Sequence, residues 1–154
     1  MSTAYPLDLW RFLVGKWKGT AKNQFGEKGV VESIVTFSLE PSEKFIMANG
    51  ESQCEGRLLN KSMSLLFYDR TTDKFRRKSF FSYGFVNNEV ECARSSEEIR
   101  FDIEIEPLPK EFTGMRWRSF MKKMSNTKIA MGLEVAKEGE AFKGYGETVY
   151  TKTG

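Results

Sequence analysis

Two short stretches carry side chains of the types and spacing needed to hold a ligand. In Lys74-Phe-Arg-Arg-Lys-Ser-Phe-Phe81, the residues Phe75, Arg77, Ser79 and Phe81 fall on alternate positions. In Met115-Arg-Trp-Arg-Ser-Phe-Met121, the residues Met115, Trp117, Ser119 and Met121 do the same. Alternate residues of an extended chain share a face. Each stretch therefore sets polar groups into an apolar row, as a pocket wall does. An arginine in such a row can bind a carboxylate or phosphate through its planar fork. The opposite parities hold Arg76, Lys78 and Phe80, and Arg116, Arg118 and Phe120. Spacing alone leaves open which parity faces inward, because a bulge resets it. Turned outward, the same arginines would pair with Glu and Asp of neighbouring strands. A third stretch, Phe142-Lys-Gly-Tyr-Gly-Glu-Thr-Val-Tyr-Thr151, offers the hydroxyls of Tyr145, Thr148 and Tyr150 beside Gly144 and Gly146. Glycine there permits either strand coiling or close approach of a ligand. Trp117, Arg77, Arg116 and Tyr145 are the candidate ligand-binding residues, with the arginines as anchors for an anionic end.

Reaction chemistry has less to build on. The chain of 154 residues contains no histidine. That removes a His-based triad, the common His zinc sites and histidine-ligated haem. Gly26-Glu-Lys-Gly29 reads as a hairpin turn, with no helix after it to receive phosphate. Asp102, Glu104 and Glu106 alternate with isoleucines, which places them on a solvent face and not in an acid/base pair. No catalytic residue, metal site or cofactor is assigned. Basic and aromatic residues interleave in 74–81 and 116–123; adjoining strands with those rows outward would make a basic stripe for single-stranded nucleic acid. A net charge of only +3 argues against that partner.

These residues need elements to position them. Pro6-Leu-Asp-Leu-Trp-Arg-Phe-Leu-Val-Gly15 reads as a short amphipathic helix, with Leu7, Leu9, Trp10, Leu13 and Val14 as its apolar set and Gly15 as its stop. From Trp17 the period becomes two. Strands are predicted near 17–25, 29–39, 44–54, 61–69, 74–81, 84–93, 98–106, 111–121, 126–135 and 141–151, with turns at Gly26–Gly29, Glu40–Glu43, Asp69–Asp73, Asn87-Asn88 and Lys137–Gly139. Ile99, Phe101, Ile103 and Ile105 alternate with charged residues, so one face is dry and the other wet. The fold class is all-β. A β-sandwich is the alternative, but an antiparallel up-and-down barrel of about ten strands removes exposed edges and gives the opening helix an end to cap.

Composition sets the remaining bounds. Thirteen Phe, three Trp and seven Met can fill a core without disulfides or metal. Residues 1–154 are read as one β-barrel domain, since no linker divides them. Cys54 and Cys92 form no CxxC pair and are expected to be reduced. No run approaches a transmembrane span, and the start lacks the parts of a signal peptide, so a cytoplasmic location is expected.

The segment Phe12-Leu-Val-Gly-Lys-Trp-Lys-Gly19 resembles the helix-to-Gly-x-Trp start of the first strand in the calycin superfamily, which includes lipocalin-like and fatty-acid-binding-protein-like barrels. Leu66-Phe-Tyr-Asp-Arg-Thr-Thr-Asp-Lys-Phe75 is similar to a hairpin of bacterial lipocalin-like proteins. The resemblance implies an internal cavity for a hydrophobic or amphipathic small molecule. The helical lid of fatty-acid-binding proteins has no counterpart in Asn23–Gly29, and Thr148 stands where their Arg-x-Tyr anchor would place arginine. The nitrobindin-like branch has the shorter connection but binds haem through a histidine that this chain lacks.

The function expected is binding or carriage of a small hydrophobic or amphipathic ligand, with an anionic end allowed, without catalysis. One rival is a small enzyme using a buried carboxylate with Tyr or Arg. Another is an interaction domain with a filled barrel, acting as a homodimer or through its basic surface.

Overall fold

The computed structural model describes residues 5–22 and 27–154. The turn expected at Gly26 and the end of the first strand fall outside the described residues. Ten strands follow in order: β1 (Gly15–Lys22), β2 (Val30–Leu39), β3 (Phe45–Cys54), β4 (Arg57–Asp69), β5 (Lys74–Phe81), β6 (Val86–Arg94), β7 (Glu98–Glu106), β8 (Met115–Ser125), β9 (Lys128–Lys137) and β10 (Lys143–Lys152). Every strand pairs antiparallel with its sequence neighbours, and β10 returns to β1. Closure sets Trp17 opposite Lys152 and Gly19 opposite Tyr150. The sheet is a closed barrel and not a sandwich, so no edge remains exposed.

Alternation sends one row of each strand inward. In β7, Ile99 and Phe101 are buried while Asp102 and Glu104 are exposed. In β1, inward Gly19 leaves space that Tyr150 and Thr148 use: a Cβ there would lie 2.8 Å from Thr148 Cγ2 and 3.1 Å from Tyr150 Cδ1.

One end of the barrel is plugged by Pro6–Leu13, a 3-10 helix. With three residues per turn, Leu7, Trp10 and Leu13 line up in one stripe, and all three are buried. That tighter winding corrects the expected apolar set, because it leaves Leu9 and Val14 exposed. Each buried leucine contributes about 1.5–3 kcal/mol. The plug residues belong to one buried cluster with Trp17, Phe37, Ile46, Leu66, Phe75 and Ile129. Trp17 Nε1 donates to Leu13 O at 2.7 Å and Lys152 Nζ to Phe12 O at 3.0 Å, so carbonyls at the helix end are satisfied. Arg11 bridges Asp8 at 2.8 Å and Glu43 at 3.2 Å, tying the plug to the β2–β3 turn. Gly15 is required twice over: its φ is 137°, and a Cβ would sit 2.4 Å from Gly154 O.

Three local expectations change. Cys54 pairs with Arg57 across Glu55 (φ 52°) and Gly56 (φ 76°), a tight turn that starts β4 earlier than alternation suggested. A 3-10 turn at Lys110–Phe112 and positive-φ Gly114 delay β8 to Met115. Asn87-Asn88 is not a turn but lies within β6; the chain reverses at Ser82–Gly84 instead, where Gly84 takes φ 97°. Cys54 and Cys92 are free thiols. Among the described residues no helix is long and apolar enough to cross a membrane.

Candidate functional site

The inward rows of β5, β6 and β8 meet midway along the barrel. Register sets Arg77 opposite Glu89 and Ser79 opposite Asn87, and places Ser119 across β7 from them. Arg77 and Glu89 form a two-pronged pair, Nε to Oε2 at 2.8 Å and Nη2 to Oε1 at 2.8 Å. Ser79 donates to Glu89 Oε2 at 3.1 Å, and Ser119 donates to Oε1. Arg77 Nη2 also donates to Ser119 at 3.1 Å, and its guanidinium lies 4.9 Å from the Phe101 ring centre.

Burial alone would lower the pKa of Arg77, but the charge and hydrogen bonds of Glu89 outweigh it and hold the guanidinium above its ordinary value. Glu89 itself is only 3% exposed.

Hydroxyls continue the polar belt around the wall. Ser64 donates to Ser79 at 2.8 Å, and Ser33 and Ser52 share a bond of 2.8 Å. Tyr150 bonds to Ser33 and Thr148; burial raises its phenol pKa despite those two bonds, which act in the other direction. Buried polar groups are normally partnered in this way. Asn87 departs from the rule, for its Oδ1 is buried and accepts no hydrogen bond.

These groups surround a cavity of about 470 Å³. Its floor, toward the plug, is apolar: Phe37, Ile46, Leu66 and Met121. The belt of Ser33, Ser64, Arg77, Ser79, Asn87, Glu89 and Ser119 forms its waist, and Phe81, Leu133 and Tyr145 line the end away from the plug. The volume and mixed lining are those of a small-molecule site. No cluster of His, Cys, Asp and Glu among the described residues could hold a metal ion.

Of the four residues singled out from sequence, Arg77 and Tyr145 line the cavity, Trp117 packs on Tyr145, and Arg116 stands apart. Arg77 faces the cavity, but its fork is closed on Glu89. Tyr145 lies at the β10 irregularity between Gly144 and Gly146; it lines the cavity while 63% exposed. Trp117 is buried behind it, 4.9 Å from the Tyr145 ring and 5.0 Å from Phe112, and is not among the cavity-lining residues. Its Nε1 has no partner. Arg116 is on the outer surface, 4.8 Å from the Phe142 ring, and does not reach the cavity. Glu89, Asn87 and Ser64 complete the wall without having been singled out, whereas Thr148 and Tyr150, offered from sequence as hydroxyls, do line it. The alternation of Arg77 with Ser79 and of Trp117 with Ser119 hinted at the rest of this belt.

The two basic stretches do not adjoin. β6 and β7 lie between them, and Asp102 of β7 binds Arg118 at 2.8 Å. Glu98 takes Arg100 at 2.9 Å on the same outer face.

No family model matches the chain, and none of the curated proteins compared with it does either. Among solved structures, the crystal structure of Rv2717c from M. tuberculosis is similar, with a TM-score of 0.71 at 14% identity over 99% of each chain. At that identity the likeness shows the fold alone.

Proposed function

We propose that this protein is a lipocalin-like member of the calycin barrels that binds a small amphipathic molecule inside the barrel. The observation that carries this reading is the cavity of about 470 Å³, closed at one end by the 3-10 plug and lined by an apolar floor below a belt of hydroxyls. A filled interior would have favoured an interaction domain instead. The apolar body of the ligand would lie against Phe37, Ile46, Leu66 and Met121, and its polar end would meet the belt. Tyr145 is the sequence-selected residue best placed to contact it, at the end away from the plug. Arg77 shapes the belt through Glu89 and does not serve as a free anion anchor, so an uncharged polar end suits the site better than an anionic one.

Two other uses of the cavity fit less well. Glu89 receives bonds from two guanidinium nitrogens and two serines, which leaves it no lone pair for abstracting a proton. Haem held through histidine, as in the nitrobindin-like branch, finds no such ligand in the sequence. The wall offers hydroxyls, a carboxamide and a closed ion pair in its place.

Native mass spectrometry of protein from its source, followed by denaturing extraction, tests the reading. A bound small molecule that is released on unfolding is the expected result. Repeated recovery of ligand-free protein that also takes up no added apolar molecule would sink it.

A further inference from the structure

Building on the cavity-binding reading, we infer that the ligand carries a neutral hydrogen-bond acceptor of the carbonyl type, received by the free edge of the Arg77 guanidinium. A guanidinium holds its N–H donors in a fixed fork and has no acceptor, so every partner must bring lone pairs. In Arg77, Nε and Nη2 take the two oxygens of Glu89, and Nη2 also reaches Ser119 at 3.1 Å. Nη1 donates to none of the described residues. Nor is it one of their unpartnered atoms shut off from all accessible surface, which are Asn87 Oδ1 and Trp117 Nε1. The Arg77 side chain keeps 15% exposure while it points into a closed barrel, so the surface that remains borders the cavity.

The surrounding groups fix what can meet that edge. Ser79 and Ser119 give their hydroxyl protons to Glu89, and Ser64 gives its own to Ser79, so these serines have no proton left for a ligand. An apolar body that fills the cavity strips water from Nη1, and a donor left without a partner there is costly. A carbonyl oxygen replaces that water with a charge-assisted bond. A carboxylate meets a different balance. The two-pronged salt bridge to Glu89 already answers the Arg77 charge, and a second anion would lie beside the first. The wall therefore favours an amide, ketone or ester over a hydrocarbon of the same shape and over an acid.

Competition against the fluorescent amine N-phenyl-1-naphthylamine tests this with three compounds of one shape, acetophenone, α-methylstyrene and benzoate, the reporter's own affinity being measured first in each protein. For the two neutral compounds, dividing each affinity by the hexane–water partition coefficient removes the part due to leaving water. The ketone should then exceed the alkene about tenfold. Benzoate at neutral pH should compete more weakly than the ketone. In wild-type protein labelled at arginine, the Arg77 η protons, identified by their nuclear Overhauser contact with the Phe101 ring, should move downfield with acetophenone and not with α-methylstyrene. Arg77→Met combined with Glu89→Leu should bring the ketone level with the alkene. Equal normalised affinities, tighter binding of benzoate, or unmoved η protons would overturn the acceptor assignment while the cavity reading stood. A ketone advantage that survives the double change would pass the acceptor to another donor, Asn87 Nδ2 first, and overturn the role of Arg77. No saturable binding of the reporter or any of the three would overturn both. The wild-type measurements decide the matter even if the double variant does not fold.

Discussion

Glu89 gathers four donors at the waist of the barrel, and what happens when one partner is removed measures what the cluster does. Glu89→Ala leaves the Arg77 charge buried and unpaired, and should cost about 3–5 kcal/mol in urea unfolding. The double change Arg77→Met with Glu89→Leu should recover most of that loss, because apolar groups of similar volume carry no desolvation cost. Tyr150 supplies a pH readout at the same scale. Its phenol is raised above the ordinary tyrosine value by burial, so the fold favours the protonated form. That contribution to stability is fully present below the ordinary tyrosine pKa of about 10 and is lost as pH rises through the folded value. In a phenolate absorbance titration Tyr150 should ionise late, as should Tyr83, which burial and Glu27 also raise. Tyr150→Phe should remove one late component. Half of the cluster was legible: alternation put Arg77 and Ser79 in one row with Phe75 and Phe81. The other half was not, because only long-range register sets Glu89 against Arg77, and nothing local in Val86–Arg94 marks it.

At the scale of elements, the plug and the β10 irregularity define the two ends of the cavity. Trp10→Ala removes the largest plug side chain and should destabilise the protein by about 3–5 kcal/mol, measured by urea unfolding. Tyr145→Ala should behave differently. The ring is largely exposed, so the stability change should stay within about 0.5 kcal/mol, while stopped-flow dissociation of N-phenyl-1-naphthylamine should become faster. Strand positions followed from alternation alone, since a one-sided core imposes a period of two on every strand. The departures have physical causes. The helix winds with three residues per turn because its packing demands a single stripe of Leu7, Trp10 and Leu13. Asn87-Asn88 has turn chemistry but sits in β6, where Asn87 is one of the cavity-lining residues and long-range pairing with β5 and β7 overrides the local preference.

The whole molecule keeps its charge balanced on the outside and its polarity organised within. Strands β6 and β7 separate the basic rows of β5 and β8, and Asp102 on β7 pairs with Arg118 of β8. Saturable binding to a single-stranded oligonucleotide at low salt is therefore not expected in a fluorescence anisotropy titration. The architecture instead concentrates its unusual features in the interior, where an ion pair and a ring of hydroxyls border open volume. The most direct measurement is a titration of N-phenyl-1-naphthylamine into the wild-type protein and into Ala48→Phe, which fills the cavity from β3 without removing a hydrogen bond. One saturable site in the wild type, lost in Ala48→Phe while the urea midpoint is kept, is the expected result. Absence of binding in the wild type, or equal binding by Ala48→Phe, would contradict a ligand site inside this barrel.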